Sequence, residues 1–103
     1  MAEVKLTNRA IEDIIAIGEY IGRDSLKFSK EVIHQIFDSI QTLELYPEIG
    51  RIVPELNSKK FREIILGNYR IIYFVLSKSR IDILTVHHVA RFINKRTIRK
   101  MIK

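Results

Sequence analysis

A chain of 103 residues, 47% of them apolar and 29% charged, is one domain's worth of ordinary globular sequence and not a disordered segment. It has no cysteine, which excludes disulfides and thiolate metal sites. The net charge of +6 is unevenly placed: residues 1–90 hold 12 basic and 12 acidic side chains, so the whole excess lies in the last 13 residues.

Residues 1–5 lack the apolar core of a signal peptide, and no apolar run approaches the length of a membrane span. A cytoplasmic protein without membrane contact is therefore expected. The alternation in Glu3-Val4-Lys5-Leu6 reads as a short strand, and Thr7 is placed to cap the helix that follows. That helix is expected from Asn8 to Arg23, with an apolar face of Ile11, Ile14, Ile15, Gly18 and Ile21 widened by Ile17. A second helix starts near Ser25–Ser29 and carries the stripe Phe28, Val32, Ile33, Ile36, Phe37, Ile40 and Leu43. Pro47 is expected to end it, because proline disfavours helical geometry in the residue before it. The short connection between the helices implies a helical hairpin.

Pro47, Gly50 and Pro54 then mark residues 47–58 as a loop. Three strands follow: Lys60–Leu66, Tyr69–Leu76, and Ile81 to His87 or His88. The turns at Gly67-Asn68 and Ser77–Arg80 are short enough for an antiparallel meander. Beyond Ala90 a basic C-terminal helix or tail is expected. The order β-α-α-β-β-β gives an α+β fold in which a helical hairpin packs on one face of a small, mainly antiparallel sheet, leaving the other face available for binding.

The residues on these elements resemble a known family. Leu6-Thr7, Ala10, Asp13-Ile14 and Tyr20-Ile21 resemble the first helix of ParE-type toxins. Pro47-Glu48-Ile49-Gly50-Arg51 followed by Pro54-Glu55 looks like the P-x-x-G-R loop of the RelE/ParE superfamily. Arg62-Glu63, then Gly67-Asn68-Tyr69-Arg70-Ile71-Ile72-Tyr73, is similar to its R-E and G-x-Y-R-I-x-Y segment. Val86-His87-His88-Val89-Ala90-Arg91 resembles the V-x-H-x-x-R that closes the last strand. Together these cover about residues 4–91, in order.

The resemblance implies a bacterial toxin with a cognate antitoxin as partner. It also implies one of two activities: binding and poisoning of DNA gyrase in the ParE-type branch, or ribosome-dependent mRNA cleavage in the RelE-type branch. A degenerate, non-toxic binding member is a third reading. Metal-free RNA cleavage needs a base, an acid and cations around the phosphorane. In the RelE-type reading Arg62, Arg70, His88 and Arg91 supply these groups. Arg70 could hold a phosphate bidentately, or it could be a structural arginine bound to the loop or to a carboxylate. Since ParE-type members share it, the structural role is preferred.

Arg62 occupies the first position of the K-x-K pair found in ribonuclease members, but Ile64 occupies the second, which removes a cation from that face. Glu63 points the other way, and an ion pair suits it better than catalysis. Adjacent His87 and His88 project to opposite faces and cannot easily share a metal; no metal or other cofactor is expected. Core packing suits Tyr69, Tyr73 and Phe74 better than base stacking. The tail cations Arg91, Lys95, Arg96, Arg99, Lys100 and Lys103 would contact nucleic acid or an acidic protein surface. The R-E pattern, the long hairpin and the H-x-x-R ending favour the ParE-type reading.

Overall fold

The computed structural model describes residues 1–89 and Arg96. The expected C-terminal helix lies outside these residues except at Arg96, which is helical and exposed; Arg91, Lys95, Arg99, Lys100 and Lys103 lie outside them altogether.

Two helices pack on a five-stranded mixed sheet, in the expected α+β arrangement. The elements are β1 (Glu3–Leu6), α1 (Asn8–Gly22), α2 (Leu26–Thr42), β2 (Arg51–Ile52), β3 (Phe61–Leu66), β4 (Tyr69–Ser77) and β5 (Arg80–His88). Spatially the strands run β1-β5-β4-β3-β2. The meander β3-β4-β5 is antiparallel, while β1 joins it parallel to β5, with Glu3 opposite Arg80 and Leu6 opposite Ile83. The two-residue β2 was not expected. It pairs with Arg62 and Glu63 from inside the proline- and glycine-punctuated loop, and two residues are too few to show a period.

Thr7 caps α1 as expected. Its hydroxyl accepts from the Ala10 N–H at 3.1 Å and also donates to the carbonyls of Ile83 and Leu84, which ties the helix start to β5. Ser25 caps α2 by accepting from the Phe28 N–H. The helices are joined by the buried Ser29, whose hydroxyl donates to the Gly18 carbonyl at 2.7 Å. Helix α2 ends at Thr42, well before Pro47, because the chain breaks into turns at residues 43–45.

The main core lies between hairpin and sheet. Ala10 and Ile14 of α1 and Val32, Ile36 and Ile40 of α2 meet Ile71, Tyr73, Ile81, Ile83 and Val86. The apolar stripes are wider than this core. Ile11, Ile15, Phe28 and Phe37 belong to the expected stripes but remain exposed, while Ala10 takes a fully buried place. The opposite sheet face is not bare either. Val53 from the β2–β3 loop packs on Ile72 and Leu84, with Leu56, Phe61 and Phe74 around them.

Two glycines have distinct backbone reasons. Gly67 has φ +58° at the first position of the β3–β4 turn, where a side chain is strained, as in type II′ hairpins. A Cβ on Gly50 would lie 2.6 Å from the Glu63 carbonyl oxygen and 2.7 Å from the Tyr73 hydroxyl. One of those neighbours is backbone and the other a buried ring, so Gly50→Ala should lower stability by about 1–3 kcal/mol. Urea denaturation of the variant against the parent checks this; an unchanged midpoint would refute the close-approach account.

Candidate functional site

Strand alternation decides which side chains meet. Glu63, Arg70 and His87 lie on the face away from the hairpin: Glu63 is opposite Ile72, and Arg70 is opposite His87. Arg62, opposite Tyr73, and His88, opposite Tyr69, project to the hairpin side. Arg62 therefore does not share a face with Arg70. Arg62 and His88 do share a face, but they lie on strands separated by β4 and are displaced by the four-residue step from Tyr69 to Tyr73, about 13 Å along the strand.

Each candidate has a defined environment. The Arg70 guanidinium is clamped between carboxylates: Nη1 and Nη2 donate to the two oxygens of Glu55 at 2.8 and 2.9 Å, and Nε donates to Glu63 Oε1 at 2.6 Å. The Glu63 carboxylate is fully buried and accepts a second bond from Arg51 Nε at 2.6 Å. The bonds from Glu55 and then Glu63 outweigh desolvation and raise the Arg70 pKa above its ordinary value, so this side chain is permanently cationic. Loop residue Glu55 thus pins the β2–β3 loop onto the sheet through a bidentate pair. Its part was not foreseen beyond its place in the Pro54-Glu55 motif. Sequence spacing gives no signal for a carboxylate that reaches a strand residue 15 positions away.

Arg62 works on the opposite face. Nε donates to the Lys59 carbonyl, and Nη1 donates to those of Glu48 and Gly50 at 3.2 and 2.9 Å. It organises the α2–β2 loop, and the Gly50 N–H beside it donates to the Tyr73 hydroxyl at 2.9 Å. Burial pushes the Tyr73 pKa above its ordinary value, partly offset by that bond from Gly50. The sign of the consequence is definite. The fold favours the neutral phenol, so this contribution is complete below the unfolded value of about 10 and is lost as pH rises through the higher folded value. Stability should therefore fall above about pH 10, and Tyr73→Phe should flatten that alkaline limb while losing about 1 kcal/mol at neutral pH. Urea midpoints between neutral pH and the alkaline limb check both parts.

His87 is buried beside Arg70, with Nδ1 lying 3.5 Å from the Thr85 hydroxyl. His88 is exposed, with its ring edge-on to Tyr69 at 6.1 Å between centroids. Asp13, noted only as part of the first-helix pattern, accepts from the Thr85 hydroxyl at 2.5 Å and from the Val86 N–H at 3.1 Å. It closes the edge of β5 just beyond the stretch that β1 pairs. Tyr73 is fully buried on the hairpin side, while Phe74 meets Phe61 of the neighbouring strand in a tilted ring contact, 4.8 Å between centroids. Among the described residues no three His, Cys, Asp or Glu side chains gather to hold a metal, and no helix is long and apolar enough to cross a membrane.

The hairpin carries a second kind of site. Between α1 and α2 runs an open apolar groove of about 890 Å³, lined by Leu6, Ile11, Ile15, Leu26, Ile33 and Phe37. Ile11, Ile15, Leu26 and Phe37 are each 43–64% exposed, a concentration of apolar surface that marks interaction sites in soluble proteins.

Three comparisons bear on this arrangement. Residues 4–91 match the family model of the ParE toxin of the type II toxin–antitoxin system parDE. The chain is 30% identical over 91 residues to Toxin RelE2 of Caulobacter vibrioides, covering 88% of this chain and 99% of that one. A solved chain of the chromosomal ParDE toxin–antitoxin system from P. aeruginosa superposes with a TM-score of 0.71 at 21% identity, covering 86% of this chain and 97% of that one.

Proposed function

This chain belongs to the ParE toxin family of type II toxin–antitoxin systems, and from that premise we propose that it acts in the cytoplasm as a non-enzymatic poison of DNA gyrase and is neutralised by a cognate antitoxin. The observation that carries the non-enzymatic reading is the clamp on Arg70. A cation that stabilises a phosphorane must be free to meet developing negative charge. Here the guanidinium is already met by two carboxylates, and an incoming phosphate would face Glu55 and Glu63. Arg62, on the other face, is committed to backbone carbonyls, and His88, though on Arg62's face, lies across β4 and about 13 Å along the strand from it. The residues of the ribonuclease reading are thus dispersed among structural duties, with Arg91 outside the described residues.

The antitoxin reading is supported by the hairpin groove, whose exposed isoleucines and phenylalanine offer anchor points at helical spacing to an amphipathic segment. The tail cations at 91–103 are assigned to contact with the target.

The test is a supercoiling assay with gyrase, plasmid, ATP and the antitoxin-free chain. Inhibition, or trapped cleaved DNA, is the expected result, and both should disappear when antitoxin is added. Because a relative bears the name RelE2, programmed ribosomes form the parallel arm. Unaffected gyrase together with mRNA cleavage would overturn the proposal.

A further inference from the structure

Between the segment after α2, the start of β3 and the end of β4 lies a second cleft, of about 740 Å³, that shares no lining residue with the hairpin groove. Its floor comes from the segment after α2 and from the end of β4: Leu45, Tyr46, Ile49 and Leu76, which are 42–62% exposed. Four large apolar side chains left in water at one place cost free energy that a solitary exposed leucine would not.

The rim has a definite sign. Lys59 and Lys60 lead into β3, and Lys78 stands in the β4–β5 turn; all three are exposed. The two sides of the rim are held together by the Val75 N–H, which donates to the Lys60 carbonyl at 2.8 Å. Among the described residues lining the cleft, Glu48 is the one acid. This local excess of positive charge stands out because residues 1–90 as a whole are balanced. Like charges gathered around an apolar floor repel one another and are relieved by carboxylates that arrive with apolar anchors.

We propose that this cleft is a docking site for an acidic, amphipathic segment of a protein partner, in which leucine- or phenylalanine-like side chains fill the floor while Glu or Asp side chains meet Lys59, Lys60 and Lys78. The floor selects against nucleic acid: three of its four apolar side chains are aliphatic and offer no stacking platform, whereas single-strand binding relies on aromatic faces. Its concave form suits a peptide better than a flat lipid surface. The inference stands on this cleft alone, so it is independent of whether gyrase or another molecule is the toxin's target.

The probe is a short synthetic peptide alternating Glu with Leu and Phe, titrated into the isotope-labelled full chain. The expected result is micromolar binding, with amide shifts confined to the surroundings of Leu45, Ile49 and Leu76, weakened at least about tenfold on raising salt to about 0.5 M. The triple variant K59E/K60E/K78E should lose at least about tenfold in affinity, as should Leu76→Asp. Ile15→Asp in the hairpin groove should leave peptide binding unchanged. These variants alter exposed positions, and their amide spectra report that the fold persists. The proposal is overturned if the folded chain ignores the peptide, if the shifts map to the hairpin groove, if the lysine variant binds equally well, or if single-stranded DNA or anionic vesicles perturb these amides where the peptide does not.

Discussion

Arg70→Ala should unfold most of this molecule's margin of stability, costing about 3–5 kcal/mol, because removing one member of a buried ion cluster strands the others. Glu63 is fully buried, Arg70 is nearly so, and Glu55 is held over them by the bidentate pair. Without the guanidinium, Glu63 keeps, among the described residues, Arg51, an exposed side chain that water can draw away. Domains of this size typically have about 5–15 kcal/mol in total. The expected readout is a fall in melting temperature of roughly 15–25 °C, with loss of the order of the β2–β3 loop. Arg70→Lys should restore only part of this, since an ammonium lacks the planar fork that meets both oxygens of Glu55 while also reaching Glu63.

A buried ion pair also admits a discriminating control. The double variant Arg70→Met with Glu63→Leu should be more stable than either single variant, because the pair lies on the sheet face that carries the apolar cluster of Val53, Ile72 and Leu84, and well-packed apolar side chains can replace a buried pair at little cost. Arg51 would then turn to water from its exposed position. If Arg70→Ala matches the parent within about 1 kcal/mol, the clamp is not structural and the case against a catalytic Arg70 collapses with it. A loss of toxicity in Arg70→Ala counts as evidence for chemistry only if the variant is still folded.

Most of the architecture was legible because local physics decided it. The capping hydroxyl of Thr7, the alternation of β1 and the Gly67-Asn68 turn each act within a few residues, and all appear where the sequence puts them. What was not legible depends on chain pairings over long separations. The parallel docking of β1 on β5 joins residues more than 70 positions apart, and β2 exists only because Arg62 and Glu63 are beside it. The opposite directions of Arg62 and Glu63 were readable from strand alternation. Which direction faces the hairpin was not, and that choice separates Arg62 from Arg70. The apolar stripes were readable as stripes, but periodicity does not say where a stripe stops being core. Thus Ile11, Ile15, Phe28 and Phe37, counted with the buried face, stand in solvent.

Those outward isoleucines carry the second large expectation. Ile15→Asp, or Phe37→Asp, should weaken antitoxin binding by at least about thirtyfold while changing folding stability by no more than about 0.5 kcal/mol. The two effects separate because the positions have different environments in the free and bound states. Ile15 is 56% exposed and Phe37 46%, so a carboxylate there remains hydrated when the toxin is alone. An apolar helix seated in the groove would strip water from it among Leu6, Leu26 and Ile33, and a desolvated charge is among the costliest groups to bury; Arg23, which also lines the groove, is an exposed side chain lying over the Tyr20 ring. Cells carrying the variant toxin and wild-type antitoxin should therefore stop growing where the wild-type pair does not, and calorimetry on the purified proteins should give the affinity loss. Alanine at the same positions should act in the same direction more weakly, since it removes anchor area without adding charge. Unchanged neutralisation by both aspartate variants would place the antitoxin elsewhere on the toxin. Parallel loss of binding and of folding stability would mean that the groove belongs to the core rather than to a partner.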